Sequence, residues 1–303
     1  MIPARIVVTG GSGFVGRAVC ARLAAVPDCR SIVLPTRRRA NAWHLATLPR
    51  CEIVECDVRD GAAMAALLAG ADALVHLVAI LHGDAAAFER VHVELPRTLA
   101  HACAAAGVRR VVHVSALGVA ADAPSLYLRS KAAGEAVWQG SGLAVTILRP
   151  SVIFGAEDRF TNMFAAMQRA LPLLPLVGAD ARFQPVWVGD VAAAVVAALT
   201  RPELAGEVIE CAGPDTLTLR QIVARVGAMA GCARPVLALP ESIGMLQAAA
   251  MALLPGEPLL SRDNLLSMRV PNVATGRLPG LANLGLAPAA LELLAGHLAP
   301  PRR

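Results

Sequence analysis

Arg5-Ile6-Val7-Val8-Thr9-Gly10-Gly11-Ser12-Gly13-Phe14-Val15-Gly16 decides how this chain is read. An aliphatic, β-branched run stops at glycines 10, 13 and 16, where a helical stretch begins, so the order is strand, tight turn, helix. Glycine tolerates positive φ and lets backbone approach closely. The first amides of the helix, from Phe14 and Val15 onward, face outward with the positive end of the helix dipole, which suits a pyrophosphate. A Gly-x-x-Gly-x-x-Gly string alone is weak evidence. At the head of a βαβ series it predicts a dinucleotide-binding Rossmann turn, with Gly10, Gly13 and Gly16 as the cradle.

Outward from that turn, short β-branched runs alternate with alanine-rich stretches. They predict strands at 5–9, 31–36, 51–56, 72–78, 109–115 and 143–148, and helices at 14–25, 60–69, 86–106 and 124–139, ended by signals such as Gly70, Gly107 and Gly140. This is the pattern of an α/β, doubly wound parallel sheet covered on both faces. After Pro150 the alternation loosens and prolines multiply, as in Leu171-Pro172-Leu173-Leu174-Pro175 and Leu239-Pro240. Strands at 185–188 and 207–211 and a helix at 190–200 remain legible. The division expected is therefore an NAD(P)-binding domain over 1–150 and a smaller α/β substrate or partner lobe over 151–303 that partly completes the sheet.

Hydrophobic residues make up 56% of the 303, yet they are largely alanine, valine and leucine spread between arginines. The most membrane-like window, 242–260, is broken by Gln247, Pro255, Gly256 and Glu257, so a buried or interfacial helix at 242–254 is expected rather than a span. Residues 1–5 run straight into a strand and leave no room for a signal peptide, which points to the cytoplasm, with a position peripheral to the inner membrane as a variant. Seven cysteines without a CxxC pair predict neither a disulfide framework nor a metal site. The net charge of +5 comes from scattered arginines, and nucleic acid is not an expected partner.

Thr36 and Arg37-Arg38-Arg39 stand where a carboxylate would bond the adenosine ribose of NAD. A guanidinium fork suits a 2′-phosphate, so Arg37 and Arg38 favour NADP(H) over NAD(H). The competing reading is a solvated basic loop. The chain holds one tyrosine, Tyr127, and one lysine, Lys131, four residues apart on a predicted helix and so on one face of it. An ammonium beside a phenol would lower its pKa and make it a proton donor or acceptor, and the lysine can reach ribose hydroxyls. The alternative is a surface pair one helical turn apart. Ser115, at the end of the fifth strand, is placed either to bond a substrate carbonyl or to cap a turn. In the second lobe Arg159, Gln168 and Arg182 are candidate polar contacts.

The glycine turn, the Tyr127-x-x-x-Lys131 pair, Asp57-Val58 after the third strand and Arg149-Pro150-Ser151 after the sixth resemble the extended short-chain dehydrogenase/reductase superfamily. Segments 76–81, 91–94, 111–118 and 183–192 look like its atypical branch, which contains the NADPH-binding accessory subunit family of respiratory complex I and bacterial relatives. The resemblance implies that Asp57 and Val58 lie by the adenine, that Leu77, Val78 and Ala79 line the cofactor, and that Tyr127 and Lys131 are the catalytic pair. Two departures stand out. His92 replaces an asparagine that supports a proton relay in active members, or else it is a helix histidine hydrogen-bonded in the core. The 115–127 segment is shorter than in sugar-nucleotide enzymes. Three functions follow: an NADP(H)-dependent oxidoreductase acting on a carbonyl or alcohol; a non-catalytic NADPH-binding accessory or assembly protein of complex I or quinone synthesis; and a nucleoside-diphosphate-sugar epimerase or dehydratase.

Overall fold

The computed structural model describes residues 2–251 and 260–298. The chain runs β1 (Arg5–Thr9), α1 (Phe14–Ala24), β2 (Ser31–Thr36), β3 (Cys51–Glu55), α2 (Gly61–Leu68), β4 (Ala73–His76), α3 (Ala85–Glu89), α4 (Leu95–Ala106), β5 (Arg110–Val114), α5 (Leu126–Gln139) and β6 (Ala144–Pro150). It continues through β7 (Ile153–Phe154), α6 (Arg159–Ala170), β8 (Leu174–Val177), β9 (Arg182–Phe183), β10 (Val186–Trp187), α7 (Val188–Thr200), β11 (Val208–Cys211), β12 (Leu217–Thr218), α8 (Leu219–Met229), β13 (Val236–Leu239), α9 (Glu241–Met251) and α10 (Arg262–Ser267).

Seven strands form one parallel sheet in the order β11-β6-β5-β4-β1-β2-β3. Its central strands are buried on both faces, which is why they read as largely aliphatic runs, with His76 and His113 buried among them. One apolar layer packs α1 and α7 on the sheet through Val19, Leu23, Val191 and Val195; the other packs α2, α4 and α5 through Met64, Leu68, Leu99 and Trp138. Each such side chain, taken fully out of water, contributes about 1.5–3 kcal/mol. Helices start on side-chain caps, from Asp60 for α2 and Asp158 for α6, while Thr218 and Gln221 form a capping box on α8.

The doubly wound parallel sheet is the class expected from the sequence. The stretch expected as one helix over 86–106 is not uniform, because a π-helical turn at Arg90–Glu94 separates α3 from α4. Pro96 explains the change: it has no amide to give the carbonyl of His92, and its ring would strike that carbonyl in an α-helical register.

The second half is more regular than its prolines suggested. Helices α6 and α8 close around Phe154, Phe164, Leu174, Ile222 and Val226, and strand pairs β7 with β10, β9 with β12 and β8 with β13 frame that core. Pro175 sits within β8, whose Leu174 amide bonds the Pro235 carbonyl beside β13; the next nitrogen along points to the unpaired edge of this two-stranded sheet, where a missing amide does little harm. Gln168 is fully buried, bonding the Val223 carbonyl and the Arg234 amide. It is thus a core residue and not a substrate contact. The apolar helix expected at 242–254 begins as α9; residues 252–254 lie outside the described residues. No described helix is long and apolar enough to cross a membrane.

Candidate functional site

Parallel pairing brings the C-terminal ends of β1, β4, β5 and β6 to one edge of the sheet. Between β1 and β4 the chain's crossovers diverge, which opens a crevice there. Gly10 sits in that crevice with φ +77°, and a β-carbon on it would come within 3.0 Å of the backbone of Leu77 and Val78. A β-carbon on Gly16 would strike the Gly10 carbonyl and the Gly11 backbone. Helix α1 therefore starts pressed against the turn, at Gly13, with no side chain capping its first amides. Uncapped amides at a helix start, beside a backbone too close for any larger residue, fit a pyrophosphate. Phe14 packs its ring over Gly155, tying the turn to the second half of the chain.

The other residues expected around a nucleotide gather along the same edge. Arg37 and Arg38 follow β2 and are exposed. Asp57, just past β3, is bonded by Arg59, which holds its carboxyl below the usual range; Arg37 lies close enough to act in the same direction. Val58 packs into the sheet's second layer. Leu77 and Val78 are half-buried beside Gly10, and Ala79 is exposed.

Helix α5 carries Tyr127 and Lys131 on one face at the end of β5. Ser125 caps this helix through the Leu128 amide, 3.2 Å away. Lys131 is buried and donates to the Val114 carbonyl at 2.8 Å; loss of hydration lowers it to about 8, with Glu135 pulling the other way. Ser115, the next residue along β5, is buried with its Oγ unpartnered, an unmet hydrogen-bonding group. Tyr127 is half-buried against Ala116, Val119, Ala123 and Val270. Its phenol departs from the sequence expectation, since desolvation pushes it up to about 12 and no charge offsets the rise. The lysine stands on the same face, but its hydrogen bond goes to a backbone carbonyl.

His92 ties these pieces together in a way no local signal announced. Its Nε2 accepts from the Ile80 amide at 3.1 Å, so the proton resides on Nδ1, which faces Ser130 Oγ at 2.8 Å. Ser130 Oγ in turn donates to the Tyr127 carbonyl at 2.8 Å. The ring also meets Tyr127 edge-on at 5.7 Å between centroids, and Phe88 packs on both. Burial, helped by Lys131, depresses His92 to about 3, so the ring is neutral. Beneath the site His76 and His113 stack 5.2 Å apart beside Trp138, and His76 is likewise lowered to about 3 by burial. Sequence reading missed Ser130 and Phe88, although Ser130 lies between Tyr127 and Lys131 on the same helix.

A sequence model of the NAD dependent epimerase/dehydratase family matches residues 6–212, from β1 to just past β11. The chain belongs to that family. The NADH dehydrogenase [ubiquinone] 1 alpha subcomplex subunit 9 of Mus musculus, a mitochondrial protein, is 32% identical to this epimerase/dehydratase chain over 94% of it and 77% of the mouse protein. Among solved structures, a dTDP-glucose 4,6-dehydratase from Streptomyces venezuelae with NAD bound is 26% identical, with a TM-score of 0.67 over 88% of this chain and 96% of that one. An NADPH-dependent quinone oxidoreductase of Escherichia coli, complexed with NADPH, shares the fold at a TM-score of 0.74 and 23% identity, over 97% and 99% of the two chains. The matched span, 6–212, takes in the glycine turn, all seven strands of the parallel sheet and helix α5.

Proposed function

We propose that this epimerase/dehydratase family member is an NADP(H)-dependent oxidoreductase acting on a carbonyl or alcohol. The observation that supports the reading is the unpartnered Ser115 hydroxyl at the end of β5, beside the Val114 carbonyl that Lys131 holds, with Tyr127 one turn before Lys131 on α5 and the uncapped start of α1 on the same edge of the sheet. Gly10, Gly13, Phe14, Val15 and Gly16 would hold the pyrophosphate, Asp57 and Val58 the adenine side, Leu77 to Ala79 the middle of the nucleotide, and Lys131 the nicotinamide ribose. Arg37 and Arg38 would take a 2′-phosphate, which favours NADP(H) over NAD(H). The second lobe, 151–303, would supply the substrate contacts, with Arg182 exposed on β9.

The dinucleotide, when bound, supplies or accepts a hydride at the substrate's carbonyl carbon. The chain's part is the oxygen and its proton. Ser115 Oγ holds the oxygen with a hydrogen bond, and Tyr127 donates its phenolic proton to it, so carbonyl plus hydride plus proton becomes alcohol. A phenol raised by desolvation is protonated at neutral pH, which is the state that donation to a carbonyl oxygen requires. Lys131, lowered to about 8, stays largely protonated at pH 7 and would hold the nicotinamide ribose, while the phenolate left behind regains its proton from water.

A second reading is an accessory protein that binds the dinucleotide without turnover, in contact with a respiratory complex at the membrane surface. It is favoured by the name of the mouse relative and by His92, whose two nitrogens are already committed to Ile80 and Ser130. The discriminating experiment follows NADPH absorbance with aldehydes, ketones and quinones for the wild type and Tyr127→Phe. Turnover reduced by about 100-fold or more in the variant, with NADPH affinity kept, supports the enzyme. Tight NADPH binding with no turnover on any of these substrates supports the accessory protein.

A further inference from the structure

Helix α5 is held at its start by a residue from the far end of the chain. Asp263, on α10, accepts the Leu126 amide on Oδ1 at 2.7 Å and the Tyr127 amide on Oδ2 at 3.0 Å. Ser125 takes the Leu128 amide, so the first three amides of α5 are all bonded, two of them by a side chain 136 and 137 positions away. A carboxylate at that end is also favoured by the helix dipole. The segment bearing Asp263 is itself fastened. Ser261 and Asn264 form a capping box on α10, and Val270 packs so near Gly118 that a β-carbon there would lie 3.0 Å from it. Asn272 Oδ1 accepts from Ser151 Oγ at 2.7 Å and from the Val152 amide at 2.8 Å.

We infer that Asp263 is a positioning residue, a tie through which the second lobe sets where the Tyr127 phenol stands at the sheet edge. The role rests on the reading of Tyr127 as the proton carrier. Three features make the tie specific to Tyr127. The amide bonded by Oδ2 belongs to Tyr127 itself. Its ring shares an apolar cluster with Val270 from the same fastened segment. The turn Asp263 grips also presents the Tyr127 carbonyl that receives Ser130. Without the carboxylate, both leading amides must find water, and the first turn of α5 loosens where the phenol is enclosed.

Because Tyr127 is the chain's one tyrosine, tyrosinate absorbance reads this residue alone and needs neither cofactor nor substrate. A rapid pH jump, read before alkaline unfolding, gives its midpoint in the full-length wild type and in Asp263→Ala, Asp263→Asn and Ser125→Ala. Desolvation holds the phenol near 12, so releasing its turn into water moves the midpoint about 1–2 units down, toward the ordinary 10. The expected result is that shift in Asp263→Ala, a smaller one in Asp263→Asn, which keeps one acceptor, and little change in Ser125→Ala. A wild-type midpoint in folded Asp263→Ala overturns the inference. So does an equal shift in Ser125→Ala, which would assign the effect to general fraying of the helix. If Asp263→Ala does not fold, Asp263→Asn decides: a lowered midpoint with an unchanged melting temperature supports the tie, and an unchanged midpoint overturns it. None of these outcomes depends on turnover, so the oxidoreductase reading can fail separately.

Discussion

The carbonyl oxygen of His92 lies against Gly134, in the space that a β-carbon on that glycine would need. Pro96 leaves this carbonyl without its α-helical partner in the π turn, and α5 comes close enough to meet it only because residue 134 has no side chain. The contact sets the spacing between α5 and the helix carrying His92. On it depend the His92–Ser130 hydrogen bond and the edge-on packing of His92 on Tyr127.

Gly134→Ala is therefore expected to destabilise the fold, although alanine is the better helix former by about 1 kcal/mol. Its methyl meets backbone rather than a yielding side-chain tip, and forcing the two helices apart costs about 1–3 kcal/mol beyond that gain. Urea denaturation of the variant measures the net effect; equal or greater stability would mean that the two helices are not held at this distance.

Acid should weaken the protein well before carboxylates titrate. His76 and His92 are buried and lowered from 6.5 to about 3, and His113 is lowered well below its ordinary value, each chiefly by desolvation. A base that binds its proton more weakly when folded stabilises the fold fully above the unfolded pKa. That stability is lost as pH falls from 6.5 toward 3, at up to about 1.4 kcal/mol per pH unit for each histidine. Unfolding free energy measured between pH 7 and pH 4 should fall with this slope, and His92→Asn should fall less steeply by about one histidine's share. A flat profile in the wild type contradicts the burial of these rings.

Arg37 and Arg38 should matter for one coenzyme only. Replacing both by serine is expected to weaken NADPH binding by about tenfold or more, a loss of about 1.4 kcal/mol or greater, and to leave NADH binding within about twofold. Thermal-shift titration with each coenzyme reads both affinities. Equal weakening for the two would mean that the arginines serve the loop, or Asp57, rather than a 2′-phosphate.

Much of the frame was legible because its signals act over a few residues. β-Branched runs, glycines at the first turn and helix-ending glycines restrict backbone dihedrals locally, and they led to the parallel sheet and to the helix that presents Tyr127 and Lys131 together. Pro96 was equally local and would have marked the break in the 86–106 helix. Helix α6 was legible too, in the Asp158 cap and in the spacing of Phe160, Phe164 and Met167, but the prolines beyond it drew the reading toward loose structure.

What only the tertiary structure decided is how far each polar group lies from water and which distant partner it meets. The sequence placed an ammonium one turn from a phenol and implied a lowered pKa; desolvation of the phenol, packed against an apolar cluster, raised it instead. Gln168 looked like a substrate contact until α6 and α8 closed over it, and Asp263 became part of the Tyr127 helix across 136 residues of chain. Desolvation and long-range hydrogen bonding depend on the summed packing of elements far apart in the chain, so no short stretch of residues encodes them.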